Sequence, residues 1–309
     1  MMCIKERNTS DSTCKKLLRD KGCFADLCNY AFFQGRQVIQ PEELVSREND
    51  LSTLIGKVDK PTEIKRYRDV VRKASIHGEY VIIGVEHQSS FDEKMIFRIL
   101  NYDATIYINQ VESKQEVYPV GSFVFYTGDE EWKLPETLKE TLKSIPSEME
   151  PYINDWRLPV IDLKTMDARK LTNRRLKDVV EISQSMFAGS YEGLRENRKI
   201  ETESFMMAAT FTRTNIRRED LPEGDEINMC KAMDQLFQRF ENQGMEKGET
   251  IGFEKGKLNT LKELLKVKLG TLSSPLEKQL TNTSLEKLNV LTLNIFNINS
   301  EEDVLKIIN

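Results

Sequence analysis

The sequence predicts an α/β (α+β) domain with a mixed central sheet flanked by helices, followed by a helical C-terminal region. Three observations point there. Over the first 165 residues the elements read helix, strand, strand, helix, strand. The segment VYPVGSFVFYTG (117–128) is almost continuously apolar, as a strand covered on both faces would be. Beyond about residue 165, apolar residues recur at helical spacing.

The elements follow in order. Residues 1–10 read as a tail. Residues 11–33 read as one amphipathic helix, with Leu17, Phe24, Cys28 and Ala31 at helical spacing and Asp11 or Ser12 as cap. Residues 35–61 have loop chemistry. Strands are expected at 65–75 and 79–87, joined by a turn at His77-Gly78. FDEKMIFRILNYDATIYINQVE is a second helix, with Ile96, Ile99, Ile106 and Tyr107 on one stripe. After the strand in 117–128 come a helical stretch with acids and Trp132, then a strand in RLPVIDL (157–163). Helices are expected at 167–187, 200–213 and 225–243. Glycines then recur at 244, 248, 252 and 256, and each costs a helix ~1 kcal/mol relative to alanine. The expected organisation is a core over 11–165, a helical extension over 166–243, a flexible link over 244–257 and a small helical tail over 258–309. All the candidate ligands precede residue 90, so the tail is expected to serve self-association or target engagement rather than cleavage.

Composition narrows the function classes. Hydrophobic residues make up 39% and charged residues 31%, enough for a packed core under a charged surface. No stretch approaches the ~20 apolar residues of a membrane span, and MMCIKERNTSDS lacks the apolar core of a secretory signal. A cytoplasmic protein without membrane partners is expected. Five cysteines and two histidines support neither a disulfide framework nor a zinc site. The net charge of −5 argues against strong standing affinity for duplex DNA. Clusters such as Arg66, Arg68, Arg72 and Lys73 read first as solvated faces.

The chemistry concentrates in YVIIGVEHQSSFDEKMIFRILNY (80–102). Strand alternation puts Glu86 and Gln88 on one face and His87 on the other. A two-residue turn at His77-Gly78 sets Asp69 of RYRDVV opposite Glu86 on an antiparallel ladder. Opposed side chains have Cβ atoms ~5 Å apart, so two carboxylates there repel unless a cation bridges them. Hard divalent ions suit such a pair. Gln88 has donors and an acceptor to orient water or a phosphate oxygen. Asp92 and Glu93 read as charges at a helix start. No Walker-type loop and no second histidine-acid pair is present, which excludes P-loop ATPase and triad hydrolase chemistry.

These residues carry a resemblance. The chain is similar to the PD-(D/E)XK nuclease family transposases, the group that includes Rpn-type recombination-promoting nucleases. The similarity lies in DSTCKKLL (11–18), FADLCNYAFFQGRQVIQPEEL (24–44), RYRDVV (66–71), VIIGVEHQSS (81–90), FRILNY (97–102) and VYPVGSFVFYTG (117–128). It implies a restriction-endonuclease-like core and a Mg²⁺- or Mn²⁺-dependent phosphodiester cleavage site acting on DNA in recombination or transposition. It implies Asp69 and Glu86 as metal ligands and catalytic residues, with the catalytic Gln88 where the wider superfamily has lysine. Asp26, Lys15 and Arg98 are weaker candidates, Asp26 for the acid that the superfamily carries on its first helix. Metal-assisted hydrolysis does not itself read the sugar, so RNA stays open as a substrate. The competing expectation is a catalytically weak or inactive relative that serves as a binding or regulatory module, which the acidic pI and the missing lysine favour.

Overall fold

The computed structural model describes residues 2–45, 70–114, 116–191, 194 and 197–308. Helix α1 (Met2–Arg19) starts within the expected tail, and α2 (Lys21–Phe33) follows at once. The single helix expected over 11–33 is thus two. Asp20 breaks it: its backbone is extended, and its carboxylate accepts from the Cys23 N–H at 2.8 Å. A short acid that satisfies an orphan amide favours a helix start over helix continuation. Arg72 closes the other side of the break by donating to the carbonyls of Leu18 and Arg19 at 3.0 and 2.9 Å.

Strand β1 (Val70–Ile76) pairs antiparallel with β2 (Glu79–Gln88), from Val70 opposite Val85 to Ile76 opposite Glu79. The two-residue turn between them falls at His77-Gly78, as expected. Both residues have positive φ, 53° and 88°, the geometry that matches strand twist in a tight hairpin. Helix α3 (Met95–Glu112) then crosses over to β3 (Val120–Tyr126), parallel to β2, and β4 (Val160–Asp162) lies parallel to β3. The order β1-β2-β3-β4 is a mixed sheet, and the α+β class read from the sequence holds. Between β3 and β4 the expected helix with Trp132 is replaced by largely irregular chain with short helical turns at Leu138–Thr141 and Glu150–Tyr152. Pro135 and Pro146 interrupt that segment, and Trp132 packs edge-on against Tyr126 and Phe91.

The sheet faces two cores. Ile83, Val85, Phe123 and Phe125 pack with Leu17, Phe24 and Leu27 of α1 and α2. Val124 and Tyr126 point the other way and pack with Met95, Ile96 and Ile99 of α3. Helices α4 (Arg174–Ala188) and α5 (Thr202–Phe211) add Leu176, Val179, Val180, Met207 and Phe211 to the first core. The expected helical extension over 166–243 therefore supplies core residues to the same sheet. A short antiparallel pair, β5 (Lys199–Glu201) and β6 (Glu226–Asn228), completes this region.

Helix α6 (Met229–Leu269) runs through residues 244–257, where the glycines suggested a flexible link. The glycine penalty is spread over 41 residues that include many strong helix formers. The chain divides into two compact units, 1–235 and 236–309. In the second, α7 (Ser274–Thr281), α8 (Leu285–Leu293) and α9 (Glu301–Ile308) bury Leu276, Leu280, Leu291 and Val304 with Leu261 and Leu265 of α6. This small tail has its own core.

Candidate functional site

Glu86 lies near the C-terminal end of β2, an inner strand, and is only 3% exposed. Its register partner on β3 is Val124, which points into the α3 side of the sheet. A carboxylate there loses most of its hydration and needs polar partners. Arg98 and Gln88 both reach the same oxygen. The Arg98 Nη2 of α3 donates to Glu86 Oε1 at 2.7 Å, and Gln88 Nε2 donates to it at 3.3 Å. Arg98 also donates from Nη1 to Asp92 Oδ2 at 2.7 Å and reaches the Tyr102 hydroxyl at 3.4 Å. Phe91, stacked on Tyr126 at 5.7 Å, anchors the segment that carries Asp92.

The electrostatics follow from this geometry. Burial works against the charged guanidinium of Arg98, but hydrogen bonds to Asp92 and Tyr102 and the charge of Glu86 outweigh it and strengthen its hold on the proton. Burial likewise pushes the Asp92 carboxyl up, yet Arg98 and the Lys94 N–H hold it below the usual range. Further along the same row, Gln88, Tyr126 and Asp162 are register partners across three parallel strands. Burial raises the Asp162 carboxyl, and burial with the nearby Asp162 pushes the Tyr126 hydroxyl up to about 12.

Of the residues singled out in the sequence, Glu86, Gln88 and Arg98 come together. Asp69 lies outside the described residues; the described ladder begins one position later, at Val70 opposite Val85. Asp26 is buried on α2, which packs on the opposite face of the sheet. Its carboxylate is occupied: it accepts from Gln37 Nε2, from Thr172 N and Oγ1, and from Asn173 N at 2.9–3.1 Å. It ties α2 to the start of α4 and is not brought to Glu86. Lys15 sits on the exposed side of α1.

His87 turns to the other face, as alternation predicts. Its Nδ1 lies 2.8 Å from Asp11 Oδ1 and its Nε2 lies 2.8 Å from Thr127 Oγ1, beside the rings of Phe125 and Phe211. With His87 2% and Thr127 1% exposed, this arrangement fastens α1 to the strand that carries Glu86; a substrate could not reach it. In the sequence Asp11 reads as a helix cap and Asp92 as a helix-start charge. The Asp11–His87 pairing spans 76 residues and has no local signature, whereas Asp92 meets Arg98 only six residues on.

The Glu86 carboxylate and the amide oxygen of Gln88 are the oxygen donors that a hard divalent ion would take here, and Arg98 is paired with that carboxylate. Among the described residues, no group of three or more His, Cys, Asp or Glu side chains is placed to hold a metal. A cavity of about 740 Å³ opens elsewhere, lined by Lys16, Glu203, Met206, Met207, Arg218 and Asp225. Its lysine is paired with Glu203, and it holds none of the Glu86 group.

Residues 62–208 match the family described as "Putative transposase, YhgA-like". The match spans just under half of the chain. The family segment contains β1 to β4, α3 and α4, and with them Asp69, Glu86, Gln88, Asp92 and Arg98, while Asp11, Lys15 and Asp26 precede it. The resemblance read from the sequence is thereby borne out, and a transposase-like, nuclease-related protein is the class it supports. No curated protein and no solved structure matches the chain. Among the described residues, no helix is long and apolar enough to cross a membrane.

Proposed function

We propose that the chain is a divalent-metal-dependent DNA endonuclease that cleaves phosphodiester bonds during recombination or mobile-element transposition. One observation carries the reading: a carboxylate buried at the end of an inner strand, Glu86, shares one oxygen between an amide and a guanidinium. In this reading Glu86 and Asp69 hold Mg²⁺ or Mn²⁺. The ion supplies Lewis acidity at the scissile phosphate and lowers the pKa of a bound water. Gln88 orients the attacking water or a phosphate oxygen through its amide. Arg98 provides positive charge on the same side of the sheet, a role that Gln88 cannot fill in place of lysine.

A second reading draws on the same contacts. Arg98 already neutralises Glu86, Lys73 stacks over Tyr80 and Tyr118, and Arg175 pairs with Glu201 and Glu203. Such a surface suits a weak or inactive relative acting as a nucleic-acid- or protein-binding regulatory module. Plasmid nicking with Mg²⁺ or Mn²⁺ separates the two. The nuclease reading expects metal-dependent nicking that falls at least about a hundredfold in Asp69→Ala and Glu86→Gln. Nicking by wild type and both variants at the same background rate, with DNA binding retained, favours the regulatory module.

A further inference from the structure

We propose that Arg98 is an exchangeable cap on Glu86: a divalent ion and the Arg98 guanidinium compete for this carboxylate, and the displaced guanidinium takes a phosphate oxygen of the nucleic acid. The inference rests on the nuclease reading and adds a residue role to it.

The geometry carries it in three steps. First, Arg98 donates to Glu86 Oε1 at 2.7 Å, the same length as its contact with Asp92, and the Glu86 side chain is only 4% exposed. A positive charge so close opposes entry of a second cation at the same oxygen. Second, Arg98 reaches solvent although Glu86, Asp92 and Tyr102 all hold it. Its side chain is 37% exposed, and Asp92, which holds its other nitrogen, is 30% exposed. The guanidinium can therefore release Glu86 while Nη1 stays on Asp92, so displacement turns the group about a retained contact instead of expelling a free charge into the core. Third, the released Nη2 is one arm of a planar fork suited to phosphate oxygens. Gln88, which shares the Glu86 oxygen at 3.3 Å, is left as the neutral partner of the carboxylate. The site's cation then comes from the helix after the strand, not from the strand position that Gln88 occupies.

Mn²⁺ binding followed by electron paramagnetic resonance, on full-length protein without DNA, tests this directly. Arg98→Gln should bind Mn²⁺ about tenfold or more tightly than wild type, because a repelling charge is gone. Its DNA cleavage should nevertheless fall, and Arg98→Lys should recover part of the cleavage without the bidentate geometry. In wild type, the Arg98 side-chain nitrogen resonances should shift on adding Mg²⁺, a readout that does not depend on any variant folding. Unchanged or weaker Mn²⁺ binding in Arg98→Gln, or Arg98 resonances indifferent to Mg²⁺, overturns the exchange. Glu86→Gln distinguishes the two levels of failure. If it binds Mn²⁺ as wild type does, Glu86 is no ligand, and the nuclease reading falls together with this one. If it loses binding while Arg98→Gln shows none of the expected gain, only the exchange is wrong.

Discussion

At the residue scale, the structure is decided by where each buried polar group finds its partner. Glu86 and Gln88 were legible because strand alternation is local and strict. Arg98 was legible only as a weak candidate, because nothing in the sequence says that α3 lays it across β2. Asp26 illustrates the opposite case, an acid at a plausible helical position whose carboxylate is consumed by Gln37, Thr172 and Asn173. Asp162 offers a test at this scale. Burial raises its carboxyl above the usual 3.8, so the folded form keeps its proton to higher pH than the unfolded chain. As pH rises past that value the unfolded state ionises first, and Asp162 then subtracts stability. Asp162→Asn keeps an acceptor for the Lys164 N–H, now 2.9 Å from Oδ1. The variant should melt higher than wild type at pH 7, with the advantage gone near pH 3. A difference in melting temperature that is independent of pH would show that ionisation of Asp162 has no part in it.

Elements with one unopposed local signal followed the sequence, and those where two local signals compete did not. The β1-β2 hairpin is legible because His77-Gly78 can accept two positive φ values and because the flanking apolar pattern fixes register. The break at Asp20 and the missing helix around Trp132 were not, since capping and proline effects competed with apolar spacing that reads as helix. Gly128 shows how tight the irregular segment is: a Cβ there would overlap the hydroxyl and ring of Tyr126, which is 1% exposed. The hairpin turn is the element on which the site's geometry hangs, because a one-residue slip would move Glu86 to the other face. His77→Val places a β-branched residue at φ 53° and should cost about 1–3 kcal/mol in chemical denaturation. His77→Asn should be close to neutral, as asparagine tolerates that conformation. Equal stability for the two variants would mean that the turn does not constrain the hairpin.

For the whole molecule, the mixed sheet and the helical C-terminal region were predictable from element order, whereas the boundaries were not. Helices expected to extend the core complete it: Leu176, Val179 and Phe211 close the face that α1 and α2 begin. The tail forms its own cluster around Leu261, Leu280 and Leu291. The central claim concerns one carboxylate in this larger frame, and it predicts where a metal goes when the protein is offered one. Crystals grown with Mn²⁺ and a short DNA duplex, measured for anomalous scattering, address it most directly. The account predicts an anomalous peak within about 2.0–2.2 Å of a Glu86 oxygen, with Asp69 as the second carboxylate ligand and Arg98 turned from Glu86 to a phosphate. Mn²⁺ bound elsewhere, with Glu86 still held by Arg98 and the DNA away from β2, would contradict it.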